Sequence, residues 1–301
     1  MTAAVMTPVT ATITQFCHQT WQLDANVQLI QREDQRLYLV TDQTPFHPVS
    51  HIWPDHPADR GFIKIGAQQI AIVDCLVGAV ELNSGQLCVD KAISVKRNEP
   101  GWVFVVVHCL DESGEYTLNV ADKVTLVVDK AYQQSLSRGH SAGHLAFLAL
   151  NKVLSTQGYW RKDAERKDPH GYNDFNSYAQ ETSFVTPDRC LDSYRLGKTL
   201  RKRGLNSAEM VEQLNEIETL INQQVSQWLL IAAEVEMRCD GDHLTDSRYW
   251  QCDLGEQARA IMPCGGSHIS NLSELESVQV KLQETQPNYI EMQTDVIGMS
   301  K

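Results

Sequence analysis

The chain lacks any apolar run approaching the ~18 residues that a membrane-spanning helix needs, so no membrane span is expected. Its opening stretch, Met1–Gln15, has no basic segment ahead of an apolar core and does not read as a secretory leader. Eight cysteines among 301 residues are too scattered for a disulfide scaffold, which points to reduced thiols and a cytoplasmic location. Basic residues are in short supply. Lys and Arg number 26 against 38 Asp and Glu, a net charge of −12, which argues against a general nucleic-acid binder. No glycine-rich nucleotide-binding sequence is recognisable, so no nucleotide cofactor is expected. Nothing in the sequence speaks to oligomeric state.

What is present is an ordinary globular composition, 42% hydrophobic and 21% charged, in a chain long enough for two domains. Two short runs carry the chemistry. His140-Ser-Ala-Gly-His144 opens the apolar run Leu145–Leu150, and Cys264-Gly-Gly-Ser-His268 lies far downstream. On a helix, residues i and i+4 share a face, so two imidazoles there can reach one ion. Ala142, Leu145, Ala146, Phe147, Ala149, Leu150 and Val153 predict that helix, with Ser137 as a candidate cap. Gly265 and Gly266 allow a tight turn that would bring Cys264 and His268 together. Alone, the first run fits a partly buried polar pair equally well, and the second is more often a turn with a buried Cys than a ligand set. Jointly, three imidazoles and a thiolate form a donor set suited to Zn2+. Three protein ligands would leave a position open, and four would close the site; both remain open.

These residues resemble the editing domain of alanyl-tRNA synthetases and the free-standing AlaX proteins. The resemblance rests on His140-x-x-x-His144 and on Pro263-Cys264-Gly265-Gly266-Ser267-His268, where Ser267 stands in place of the family's usual Thr. Phe46-x-Pro48 and Pro57-Ala58-Asp59-Arg60-Gly61 match the two ends of the family's glycine-rich motif. Between them the triple glycine and Gln give way to a longer segment, 49–56, holding His51 and His56. Ser183-x-Val185-x-Pro187-Asp188 is a looser match. The resemblance spans about residues 20–295. It implies a zinc-dependent hydrolase of the ester joining an amino acid to the 3′ adenosine of tRNA, most plausibly serine or glycine on tRNA for alanine. His140, His144, Cys264 and His268 would be the ligands, with His268 alternatively a general base. Ser267, Gly265 and Gly266 would face a developing oxyanion. His51, His56 and Asp59 would lie on the substrate side. Two other functions stay in view: a zinc hydrolase of small aminoacyl esters or amides that does not use tRNA, and a non-catalytic protein stabilised by zinc.

The expected fold is α+β, a small N-terminal β-barrel over residues 1–135 followed by an α+β metal-binding domain over 136–301. Leu37–Val40, Gln69–Val73, Trp102–Val107 and Val124–Val128 are rich in β-formers, punctuated by Gly61, Gly66, Gly85, Gly101 and Gly114. The resemblance implies a barrel like that of translation factors. Residues 157–182 are polar and turn-rich, an ordered insertion or lid. Asn206-Ser-Ala-Glu209 has the form of a capping box ahead of one long helix, with Met210, Leu214, Ile217, Ile221, Val225 and Trp228 on its buried face. Val278–Leu282 and Tyr289–Met292 are strand-like. Two basic runs stand out, Arg161, Lys162, Arg166, Lys167 and then Arg195, Lys198, Arg201, Lys202, Arg203. Solvated helix ends would explain either; the second is the candidate tRNA grip.

Overall fold

The computed structural model describes residues 9–33, 36–50, 55–111 and 117–297. The chain divides into two compact units, Met1–Gln133 with Cys239–Ser247, and Gln134–Arg238 with Arg248–Lys301. A single cut near 135 did not anticipate the return of 239–247 to the first unit, where Thr14 N–H donates to the Asp242 carbonyl at 2.8 Å. None of the described helices is long and apolar enough to cross a membrane.

The first unit holds β1 (Ile13–Thr14), β2 (Gln22–Glu33), β3 (Arg36–Thr41), β4 (Gln43–Thr44), β5 (Gly61–Ile65), β6 (Gln68–Glu81), β7 (Leu87–Val89), β8 (Trp102–Asp111) and β9 (Lys123–Val128). The main sheet runs β5-β9-β2-β3-β8-β6-β7, and β5 also pairs with β6. Antiparallel pairing thus passes through six strands and returns to β5. Alternation along these strands sends Ala25, Val27, Leu37, Leu39, Ile63, Ile70, Val106, Leu110 and Leu126 into one core. The expected runs at 37–40, 69–73, 102–107 and 124–128 fall within strands. Gly61 is required: a Cβ there would stand 2.1 Å from the Val127 carbonyl oxygen. His108 is a satisfied core histidine. Its ring nitrogens meet the Leu39 carbonyl at 3.2 Å and Thr44 Oγ1 at 2.8 Å, and burial lowers its pKa to about 4.

The second unit is α+β. It contains most of α1 (Lys130–Thr156), then α2 (Phe175–Ala179), β10 (Gln180–Thr186), β11 (Arg189–Arg195), α3 (Lys198–Lys202), α4 (Ser207–Glu212) and α5 (Leu214–Leu229). After these come β12 (Val235–Cys239), β13 (Arg248–Cys252), β14 (Ala260–Pro263), β15 (Ser277–Gln286) and β16 (Tyr289–Ile297). One sheet has the order β10-β11-β16-β15 and another β12-β13-β14. The stripe on α4 and α5 is buried as its spacing requires. The expected single helix is two, because Gln213 departs from helical geometry at φ −108°, ψ 17°. Asn206 makes no backbone cap; its side-chain amide contacts the Glu209 carboxylate instead. A capping box does form elsewhere, between Asn271 and Glu274. α5 closes the outer edge of β15. Asn222 both donates to the Val280 carbonyl and accepts its N–H, at 2.8 Å each, while Glu218 accepts the Leu282 N–H. An edge blocked this way cannot recruit another strand.

A candidate metal centre

The ligand helix begins earlier than its apolar stripe suggested. Asp129 Oδ1 accepts the Tyr132 N–H at 3.1 Å, which marks the start of α1 ahead of Lys130. Ser137 is therefore not a cap but an interior residue. Its hydroxyl donates to Ser267 Oγ at 2.9 Å. Two glycines let α1 approach the sheet closely. A Cβ on Gly139 would stand 2.7 Å from the Arg189 backbone, and one on Gly143 would stand 2.7 Å from Cys190 Sγ. Gly139 and Gly143 alternate with His140 and His144, so one face of the helix contacts strand β11 while the other carries imidazoles. Asp188, part of the looser motif match, binds Arg138 through both carboxylate oxygens, at 2.5 and 3.1 Å.

The second ligand run follows β14. Neither Gly265 nor Gly266 has a positive φ, and nothing lies within 4 Å of a Cβ on Gly265. The turn therefore does not use the conformational freedom ascribed to these glycines. It still brings Cys264 and His268 to the helix. The donor atoms of His140, His144, Cys264 and His268 all lie within 4.8 Å of one another. Cys264 Sγ stands 3.4 Å from His140 Nε2 and 3.2 Å from His268 Nε2. At ordinary Zn–N and Zn–S bond lengths, tetrahedral donors stand roughly 3.3–3.6 Å apart. The three rings are buried, and Cys264 is partly exposed. His144 is the clearest sign of a missing partner: its Nδ1 is buried with no hydrogen bond. Burial lowers its pKa to about 3, so it remains the neutral imidazole a metal takes. Trp250 and Phe147 meet its ring edge-on, at 5.2 and 5.6 Å between centroids. This group could hold a metal ion and is compatible with zinc.

Surrounding groups orient the ligands. The Ser267 carbonyl lies 3.3 Å from His140 Nδ1, and a carbonyl only accepts, so that nitrogen carries the proton and Nε2 is left for a metal. Ser141 Oγ lies 3.0 Å from His268 Nδ1 and accepts the Ile269 N–H at 3.3 Å. It fixes both the ring and the turn behind it. Ser141 and Trp250 were not singled out from sequence, although Ser141 sits inside the His140–His144 spacing. Ser141→Ala is expected to weaken zinc binding by about 10–100-fold, the usual cost of losing an outer-shell partner. Competition with a chromophoric chelator measures it; unchanged affinity would mean that Ser141 does not orient His268.

Other expected residues occupy the first unit. His51 lies outside the described residues. His56 is buried, 2% exposed, with His47 beside it at 4.2 Å between ring centroids. Both Nδ1 atoms point to the Pro57 carbonyl, at 3.3 Å for His47 and 2.9 Å for His56. His47 carried no pattern in the sequence. Asp59 is 1% exposed; its Oδ2 accepts the His47 N–H at 2.7 Å and the Gln133 amide at 2.5 Å, while its Oδ1 is buried without a bond. Burial raises its pKa to about 7, against the lowering effect of those two bonds. A carboxyl raised on folding contributes stability below its ordinary pKa, and that contribution falls as pH rises towards 7. Asp59→Asn keeps an acceptor for both donors and removes the ionisation. Its stability should lose a pH slope of up to about 1.4 kcal/mol per unit between pH 4 and 7. Chemical denaturation at several pH values measures this, and an unchanged slope would mean Asp59 ionises as freely as in the unfolded chain.

The second basic run is exposed at Arg195, Lys198, Arg201 and Lys202. Arg195 lies 3.6 Å from Glu181, while Arg203 covers the Tyr178 ring at 4.4 Å.

No protein-family model matches the chain. Among curated proteins it is similar to alanine–tRNA ligases. It is 25% identical to that of Opitutus terrae over 260 residues, 84% of this chain and 22% of the relative. The Thermotoga petrophila enzyme is 25% identical over 239 residues, 74% of this chain and 22% of the relative. The Saccharophagus degradans enzyme is 24% identical over 260 residues, 82% of this chain and 23% of the relative. The chain thus resembles alanine–tRNA ligases over most of its own length while spanning less than a quarter of theirs.

Proposed function

We propose that this chain is a zinc-dependent hydrolase that clears mischarged tRNA for alanine, releasing serine or glycine from the 3′-terminal adenosine. The observation that carries this reading is the convergence of His140, His144, Cys264 and His268 in a chain similar to alanine–tRNA ligases. A zinc ion held there supplies Lewis-acid polarisation of an ester. The protein's own groups do the remainder. The Ser267 carbonyl fixes the tautomer of His140, and Ser141 orients the His268 ring. The Ser267 hydroxyl and the Gly265 and Gly266 amides are the candidate donors to a developing oxyanion. His268 is the ligand best suited to act instead as a general base. Arg195, Lys198, Arg201, Lys202 and Arg203 provide cations for the acceptor stem. The returning circuit of pairings in the first unit supports a small β-barrel of the translation-factor type.

The four-donor set favours one second reading, a closed zinc that only stabilises the domain. Zinc-loaded protein incubated with seryl-tRNA and alanyl-tRNA, both for alanine, separates the two. Selective release of serine is expected. Full zinc occupancy with neither amino acid released would leave the stabilising role.

A further inference from the structure

The two basic runs, distant in sequence, lie side by side in the second unit. Arg161 N–H donates to the Gly204 carbonyl and Asn206 N–H to the Tyr159 carbonyl, both at 2.8 Å, and Trp160 bridges Leu205. Gly204 has φ +110° and presses against Lys162, where a Cβ would stand 2.6 Å from Lys162 Cγ. Tyr178 then collects a guanidinium from each run, with Arg203 Cζ at 4.4 Å and Arg166 Cζ at 5.1 Å from its ring centroid. The Arg166 N–H also donates to the Tyr178 hydroxyl at 2.8 Å.

The insertion carrying the first run is pinned, not loose. Asp168 accepts the N–H groups of His170 and Tyr172, both at 2.9 Å, and the Asn151 amide of α1. The Asn173 N–H donates to Ser155 on the same helix at 2.9 Å. Nearby acids are few. Asp163 is engaged by Lys167 at 2.9 Å, Glu181 by Arg195 at 3.6 Å and Glu209 by the Asn206 amide, while Asp168 is taken up by backbone N–H groups of its own loop. Arg161, Lys162, Arg166, Arg201, Lys202 and Arg203 make no ion pair among the described residues. Like charges held together cost electrostatic energy unless a polyanion offsets it. In a chain of net charge −12, such a face also concentrates the positive field.

We propose that the 157–182 insertion is part of an RNA-binding face, joining its Arg161, Lys162 and Arg166 to the 195–203 segment to grip the phosphate backbone of a structured RNA. This rests on the tRNA reading above and extends its contact surface to a second element. Guanidinium forks match phosphate geometry, and a pinned scaffold loses little freedom on binding.

The test is binding of uncharged tRNA by the zinc-loaded full chain across a salt series. Arg161→Gln with Lys162→Gln is compared with Arg201→Gln with Lys202→Gln, and melting temperature and zinc content serve as folding controls. Each pair is expected to weaken binding about tenfold and to lower the slope of log affinity against log salt by about 1–2. If the Arg161 and Lys162 pair changes neither while the other pair does, the insertion is not part of the face. If neither pair has an effect although tRNA binds and is deacylated, the joint face is wrong and the hydrolase reading stands. If the unaltered protein neither binds nor deacylates tRNA, both fail. Binding to phosphatidylserine vesicles without binding to tRNA would overturn the proposal in favour of a membrane surface.

Discussion

His144→Ala should abolish stoichiometric zinc binding and, with it, hydrolysis. The ring lies 4.8 Å from His140 and 4.7 Å from His268 between centroids, within reach of the other three donors. Its buried Nδ1 has no hydrogen bond within the protein, so removing the ring breaks no existing bond at that nitrogen. What disappears is one of four donors, and a water entering the space is a poorer ligand than an imidazole. Affinity should fall by more than about 100-fold, beyond what loss of an outer-shell partner costs. Some stability also goes, because Trp250 and Phe147 lose an edge contact. Circular dichroism of the metal-free proteins separates that loss from the metal effect. Retention of one tightly held zinc per chain by the variant would remove His144 from the ligand set.

Glu256→Ala should cost the second unit about 3 kcal/mol, enough to lower its melting temperature by about 5–10 °C. Glu256 binds Lys152 of α1 at 2.5 Å, and their side chains are only 14% and 22% exposed. It also accepts the Trp228 indole N–H at 3.1 Å and the Tyr172 hydroxyl at 3.3 Å. Truncation leaves a mostly buried ammonium and two other donors without this acceptor, which is why the cost exceeds that of an exposed pair. Burial pushes the Glu256 carboxyl upward, but its bonds from Lys152 and Trp228 outweigh burial and hold its pKa below the usual value. A depressed carboxylate contributes stability above its unfolded pKa and loses it as pH falls through the folded one. The difference between wild type and variant should therefore be greatest near neutrality and shrink on acidification below about pH 4.3. A difference that does not vary with pH would indicate that packing, not charge, makes Glu256 matter. Since Tyr172 lies in the insertion, the variant should also loosen the face carrying Arg161 and Lys162.

The clustering of the four candidate ligands was partly legible in the sequence because i, i+4 spacing on a helix maps directly onto proximity. His140 and His144 needed only a helix beneath them, and the stripe through Leu145 and Leu150 supplied it. The joining of that pair to Cys264 and His268 was legible by resemblance, not by physics, since spacing cannot bring distant segments together. The interleaved glycines at 139 and 143 were visible but went unread, because their meaning depends on what strand β11 presents. Helix limits were harder. The apolar stripe does not extend back to Lys130, so Asp129 was passed over as the cap. Gln213 breaks a helix that propensity alone would continue. The strands identified from sequence were the apolar ones. Strand β10 presents mostly exposed residues such as Gln180, Glu181 and Thr182, and its place in the sheet is decided by pairing with β11. His47 and His56 were obscure for a similar reason: only the folded segment turns both rings onto the Pro57 carbonyl. The meeting of Arg166 and Arg203 on Tyr178 also depends on long-range pairing that no local pattern records.

The most direct measurement is single-turnover deacylation of seryl-tRNA for alanine as zinc is titrated into metal-free protein. Serine release should rise in proportion to added zinc and level off at one equivalent per chain, with alanyl-tRNA for alanine spared throughout. Equal release by metal-free protein, or no release with one zinc bound, would contradict a zinc-dependent editing hydrolase.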